Sequence, residues 1–185
     1  MSTLTVFLQV SLDGYYCSAN GDMGWAHKAP NDTEWNEFVA GNSSGDSTLL
    51  FGRKTYEMMA SFWPTPAAYA MSRETAENIN RTKKVVVSRS LQNPAWGPVT
   101  LIAENAATRL RELKQKEDLV TLGSGTLVTY LAENRLVDRY TVVFCPIVLG
   151  GGKSWMQGLK EPSRLSLANS RVFKNGTVVV NYDAA

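Results

Sequence analysis

The chain has 185 residues, of which 44% are hydrophobic and 19% charged, with a formal charge of +2. That is apolar material enough for one domain, residues 1–185, with a real core, and the near-neutral balance excludes a basic field for nucleic acid. No apolar run approaches the ~20 residues that cross a bilayer, and Met1-Ser2-Thr3-Leu4 lacks a basic leader, so a cytoplasmic protein without membrane partners is expected.

Leu4 to Val10 is rich in β-branched and apolar residues and reads as a buried strand. Ser11 to Pro30 carries Gly14, Gly21 and Gly24 and reads as a long loop, a length that often signals function. Asn31 or Asp32 caps a helix with Trp35, Phe38 and Val39 on one face. Ser47 to Phe51 is a short strand and Arg53 to Ser61 a helix; Trp63-Pro64-Thr65-Pro66 breaks the chain. Ser72 caps a helix through Ile79, and Lys83 to Ser88 and Val99 to Ile102 are strands. Glu104 to Lys116 is an amphipathic helix that turns Leu110 and Leu113 inward. Asp118 to Leu122 is a strand running straight into Gly123-Ser124-Gly125, and Thr126 to Asn134 is helical. Val137 to Ile147 is a long strand ahead of the Gly150-Gly151-Gly152 run. Two more strands, Arg164 to Phe173 and Thr177 to Tyr182, flank the hairpin signal Asn175-Gly176. The alternation predicts an α/β fold of three layers, with a mainly parallel central sheet and a C-terminal antiparallel hairpin.

In such a sheet ligands bind beyond the carboxyl ends of the strands. Three unusual turns fall there: Gly52-Arg53-Lys54-Thr55, Ser88-Arg89-Ser90 and Gly123-Ser124-Gly125-Thr126. Glycine lets a backbone approach a ligand, a helix start offers N–H groups and a positive dipole end, and arginine adds a forked charge. If the three strands are parallel neighbours, the turns share one rim suited to a ligand with several phosphates. Singly, each is also an ordinary solvated turn. Two cysteines, Cys17 and Cys145, and one histidine, His27, predict free thiols and no metal site.

The chain resembles the dihydrofolate reductase fold and, within it, the RibD C-terminal domain family of riboflavin-biosynthesis reductases. The likeness runs through Ser11-Leu12-Asp13-Gly14-Tyr15, Gly52-Arg53-Lys54-Thr55-Tyr56-Glu57, Val87-Ser88-Arg89, Gly123-Ser124-Gly125-Thr126-Leu127, Leu136-Val137-Asp138 and Pro146-Ile147-Val148-Leu149-Gly150-Gly151-Gly152. It implies NADPH held by Gly52, Arg53, Lys54 and Thr55, by Ser88 and Arg89 on the 2′-phosphate or adenine side, and by Gly123, Ser124, Gly125, Thr126 and Leu127 under the pyrophosphate. It also implies a mobile loop, Asp13 to Trp25, over the nicotinamide. Trp25, Trp35 and Lys153 are expected at the substrate. For the proton, Asp32 and Asp13 are the leading candidates, beside Glu34, Glu37 and His27; Asp32 is equally a helix cap and Asp13 a turn residue. A deaminase zinc signature is absent, so the resemblance implies a stand-alone reductase domain, expected as a homodimer, acting on a ribosylaminopyrimidine or pteridine. Two other readings stay open: a dihydrofolate reductase, and a nucleotide-binding module without turnover.

Overall fold

In the computed structural model, residues 2–29, 31–43, 46–123 and 125–185 are described; Ser124 of the glycine-rich turn lies outside them. The first strand, β1 (Leu4–Ser11), sets the layering through its alternation. Leu4, Val6, Leu8 and Val10 are fully buried on one face, while Thr5, Phe7 and Gln9 are half-buried on the other. The chain continues through β2 (Tyr15–Cys17), a short 3-10 turn (Gly24–Ala26), α1 (Thr33–Ser43), β3 (Thr48–Gly52), α2 (Arg53–Phe62), α3 (Pro66–Met71) and α4 (Arg73–Arg81). Then come β4 (Lys84–Val87), β5 (Val99–Ile102), α5 (Ala106–Lys114), β6 (Leu119–Leu122), α6 (Gly125–Glu133), β7 (Arg139–Cys145), β8 (Lys153–Ser154), β9 (Leu165–Val172) and β10 (Val178–Ala184).

Eight strands form one sheet in the order β5-β4-β3-β6-β1-β7-β10-β9. Pairing is parallel from β5 through β7; β10 and β9 join antiparallel. On one face Leu110 of α5 and Leu127, Val128 and Leu131 of α6 pack on the buried side of β1, β3, β6 and β7. On the other, α1 packs through Trp35 and Phe38 against Val143, Cys145, Phe173 and Val179. Beside it Tyr56 of α2 and Ile79 of α4 cover Leu49, Phe51 and Val86. This is the expected three-layer α/β arrangement.

Two segments differ from the sequence expectation. The break read at Trp63-Pro64-Thr65-Pro66 passes at its last residue into α3, because Pro66 occupies the first helical position, where its missing N–H costs nothing. The span read as loop holds β2, which pairs with β8. That pairing depends on Gly152: at φ +152° it adopts a backbone closed to other residues, and a Cβ there would collide with the Cys17 carbonyl. The neighbouring loop is closed by its own bonds. The Ser18 N–H donates to Asp22 O (3.0 Å), the Gly21 N–H to Ser18 O (3.0 Å), and the Ser18 hydroxyl to Asn20 Oδ1 (2.6 Å).

Candidate active site

Because β4, β3 and β6 are adjacent and parallel, their carboxyl ends meet at one edge. Gly52 stands opposite Val87, and Leu50 opposite Thr121. The three turns therefore open side by side, and Gly52, Arg53, Lys54, Thr55, Ser88, Arg89, Gly123, Gly125, Thr126 and Leu127 all line a single cleft of about 1670 Å³. A volume of that size exceeds the ~300–1,000 Å³ of an ordinary single-ligand pocket, so it has room for two molecules.

The local chemistry of the rim favours anions. α2 begins at Arg53 with Gly52 as an extended N-cap and no side-chain cap, which puts the positive end of the helix dipole at the rim. Arg53 is about two-fifths exposed, and its Nη1 bonds Glu57 one turn on at 2.9 Å. That contact aims the guanidinium along the helix. In the next turn the Ser88 hydroxyl accepts from the N–H groups of Ser90 (3.1 Å) and Leu91 (3.0 Å), fixing the bend that presents Arg89. At α6 a Cβ on Gly125 would lie 2.8 Å from Tyr16 Cε1; the glycine lets the tyrosine ring settle on the helix start. Burial is the main reason the Tyr16 phenol titrates above its ordinary value, so it stays protonated at neutral pH.

A fourth turn shares the rim. Ala103 to Thr108, between β5 and α5, also lines the cleft, and Asn105 there adopts a left-handed φ of 52° with no side-chain cap. It lacks the glycine and cation that marked the other turns, so only the register of Val87 with Ile102 brings it in.

The cleft continues over the open face of β1, past Phe7, Gln9, Val39, Leu49 and Met59, and Lys153 of β8 also lines it. Trp35 and Trp25 do not. Trp35 is 6% exposed and stacked with Phe38 and Phe173 at 5.3 Å from each. Trp25 packs on the same cluster and borders a separate shallow depression near Leu149–Gly151.

The acids nominated from sequence also lie elsewhere. Asp32 caps α1: its Oδ1 accepts from the Trp35 N–H at 3.0 Å, and its Oδ2 from Asn175 Nδ2 at 2.6 Å. Asp13 accepts from the N–H groups of Leu149 (3.1 Å) and Gly150 (2.7 Å), tying the start of the loop to the triple-glycine segment. Its carboxyl sits below the usual range, chiefly through a hydrogen bond from Ser11, with the two backbone donors adding to it. Glu34 binds the Lys174 N–H (3.2 Å) and Arg171 (3.1 Å), which lower its pKa in that order. Glu37 and His27 are exposed and outside the cleft. Glu104, on the phosphate-side rim, is the one carboxylate among the described residues lining the cleft. No group of three or more metal-ligating side chains occurs among the described residues.

Comparison with known proteins agrees with this fold. A crystal structure of a candidate riboflavin biosynthesis protein from Shewanella sp. PV-4 superposes with a TM-score of 0.78 at 21% identity, covering 99% of both chains. The diaminohydroxyphosphoribosylaminopyrimidine deaminase/5-amino-6-(5-phosphoribosylamino)uracil reductase of Thermotoga maritima superposes at 0.69 with 14% identity; all of this chain corresponds to 57% of that one. Dihydrofolate reductase from Enterococcus faecalis, solved with NADP(H), gives 0.62 at 13% identity, covering 98% and 96% of the two chains. By sequence, the uncharacterized protein YyaP of Bacillus subtilis (strain 168) is 28% identical over 177 residues, 95% of this chain and 91% of that protein. The sequence model of the RibD C-terminal domain matches residues 2–179. Match and sheet order lead to the same conclusion: the chain belongs to the RibD C-terminal domain family.

Proposed function

We propose that the cleft holds NADPH along the β4-β3-β6 rim and a heterocyclic substrate, a ribosylaminopyrimidine or pteridine, on the open face of β1, and that the protein is a reductase. The observation that carries this reading is the convergence of Arg53, Arg89, Gly123 and Gly125 on one cleft that extends beyond the rim. Arg89 takes the 2′-phosphate, Arg53 and the α2 start take the neighbouring phosphate, and the α6 start takes the other. Bound NADPH would supply the hydride. Gly21 and Met23 line the cleft from the loop that follows β2, so closure of that loop would exclude bulk water during transfer. With Asp32 and Asp13 engaged outside the cleft, the proton is assigned to an ordered water.

The test is thermal. Millimolar NADPH, near 100 times a micromolar-range Kd, should stabilise the protein by about 2.7 kcal/mol and raise Tm by roughly 5–11 °C. No shift removes the assignment. Oxidation of NADPH followed by its absorbance, with a dihydropteridine or an aminopyrimidine ribitol precursor as acceptor, then separates turnover from binding. The lack of a carboxylate among the described residues of the substrate half favours one rival reading, a nucleotide-binding module without turnover; any substrate-dependent oxidation excludes it.

The protein is also proposed to be a homodimer built on β9, the outer strand of the sheet. All eight of its residues are exposed, Leu167 at 61% and Val172 at 71%, an apolar edge that monomers normally avoid presenting. Light scattering should give twice the chain mass, and Leu167→Lys should return the monomer; a monomeric parent protein rejects the interface.

A further inference from the structure

Gln9 is the one polar residue on the open face of β1 between Phe7 and the strand end, and it lines the substrate half of the cleft. Its Oε1 is buried and accepts no hydrogen bond among the described residues. A buried carbonyl without a donor is destabilising, and an aliphatic side chain of the same length would carry no such cost. Strand packing supplies no reason for it: its neighbours across the sheet are Val143 and, beyond, Val179. Among the described residues, the group is an acceptor without a donor.

We infer that Gln9 selects the substrate by reading a ring edge that carries one donor beside one acceptor. This rests on the reductase reading for the identity of the cleft. A carboxamide is planar and offers an oxygen acceptor and an N–H donor side by side. It therefore matches a neutral lactam edge, a ring N–H next to a C=O, through two parallel hydrogen bonds, in the way amide side chains read base edges. The face around it, with Phe7, Val39, Leu49 and Met59, is apolar and suits the flat of a pyrimidine or pteridine ring. The match is to an oxo-heterocycle. A protonated diaminopyrimidine presents donors only, and one of them would face the amide N–H.

The experiment uses the full chain, with calorimetric titration of two probes, 5,6-diaminouracil and 2,4-diaminopyrimidine, at saturating NADPH and again without it. The parent protein should bind the uracil more tightly. Gln9→Leu should lose roughly tenfold or more of that affinity while its ligand-free Tm rises, because the unpaired acceptor is gone. A purely packing role would give a lower Tm and no change in ring preference. Gln9→Glu, which replaces the donor by a second acceptor, should reverse the preference towards the diaminopyrimidine. The NADPH-induced Tm shift should be the same in all three proteins. Uracil binding that is absent in the parent, or unaltered by Gln9→Leu, overturns the role given to Gln9. A missing NADPH shift instead overturns the cofactor reading, and the titrations without NADPH still decide Gln9.

Discussion

Replacing Arg53 and Arg89 together by alanine should weaken NADPH binding about 100-fold. Each arginine is expected to make a charge-assisted contact to phosphate worth ~1.5–3 kcal/mol, and partial exposure of Arg53 argues for the lower end. Two such losses give at least ~3 kcal/mol, and 1.4 kcal/mol is tenfold in affinity. The single variants should differ in kind. Arg89→Ala should remove most of the preference for NADPH over NADH, because its assigned phosphate is missing from NADH. Arg53→Ala should weaken both cofactors alike. Folding should be little changed, since Arg53 gives up only an exposed pair with Glu57 one helical turn away, typically ~0.3–0.5 kcal/mol. Fluorescence titration with both cofactors, beside a Tm for each variant, checks the set. Equal affinities in the double variant and the parent would mean that the rim does not hold the phosphates.

Lys84→Met should cost about 2 kcal/mol of stability and lower Tm by roughly 4–8 °C. Lys84 is 1% exposed, with no carboxylate partner among the described residues. Its ammonium donates instead to the carbonyls of Ile79 (2.9 Å), Asn80 (3.0 Å) and Thr82 (2.6 Å), at the end of α4, and lies 4.4 Å from the Trp96 ring centroid. It caps the negative end of the helix in place of water. Trp96 is itself held, its indole N–H donating to Asn80 Oδ1 at 2.7 Å and its backbone N–H to the Tyr56 hydroxyl at 2.9 Å. Methionine fits the space but leaves the carbonyls without a donor.

Burial lowers the Lys84 pKa from 10.5 to about 8. Below pH 8 the amine is protonated both folded and unfolded, and the full burial cost applies. Between pH 8 and 10.5 the folded chain releases the proton while the unfolded chain keeps it, so stability rises with pH. The gap between parent and Lys84→Met should therefore widen over that window in urea titrations. A constant gap would show that the amine does not titrate there.

The rim was legible because its parts advertise themselves: glycines and arginines at strand exits are uncommon in combination, and strand alternation gave the parallel pairing that aligns them. The rest of the site depended on what side chains do with their contacts. Asp32 carries the residue type of a proton donor and of a helix cap, and only the bonds to Trp35 and Asn175 decide between them. Trp35 has the composition of a pocket wall, yet it is buried in a three-ring cluster with Phe38 and Phe173. The turn at Ala103–Thr108 was invisible because its membership comes from sheet register alone. Gln9 went unread inside an apolar run, since an unpaired amide oxygen is a property of its surroundings.

The residues proposed to face the phosphates come from strands joined only by crossovers, so the grip would exist only after β4, β3 and β6 have docked side by side. A cofactor bound there would act as a clamp across the seams of the sheet. It should retard unfolding strongly and hasten refolding little, because no smaller fragment of the chain contains a place for it to land.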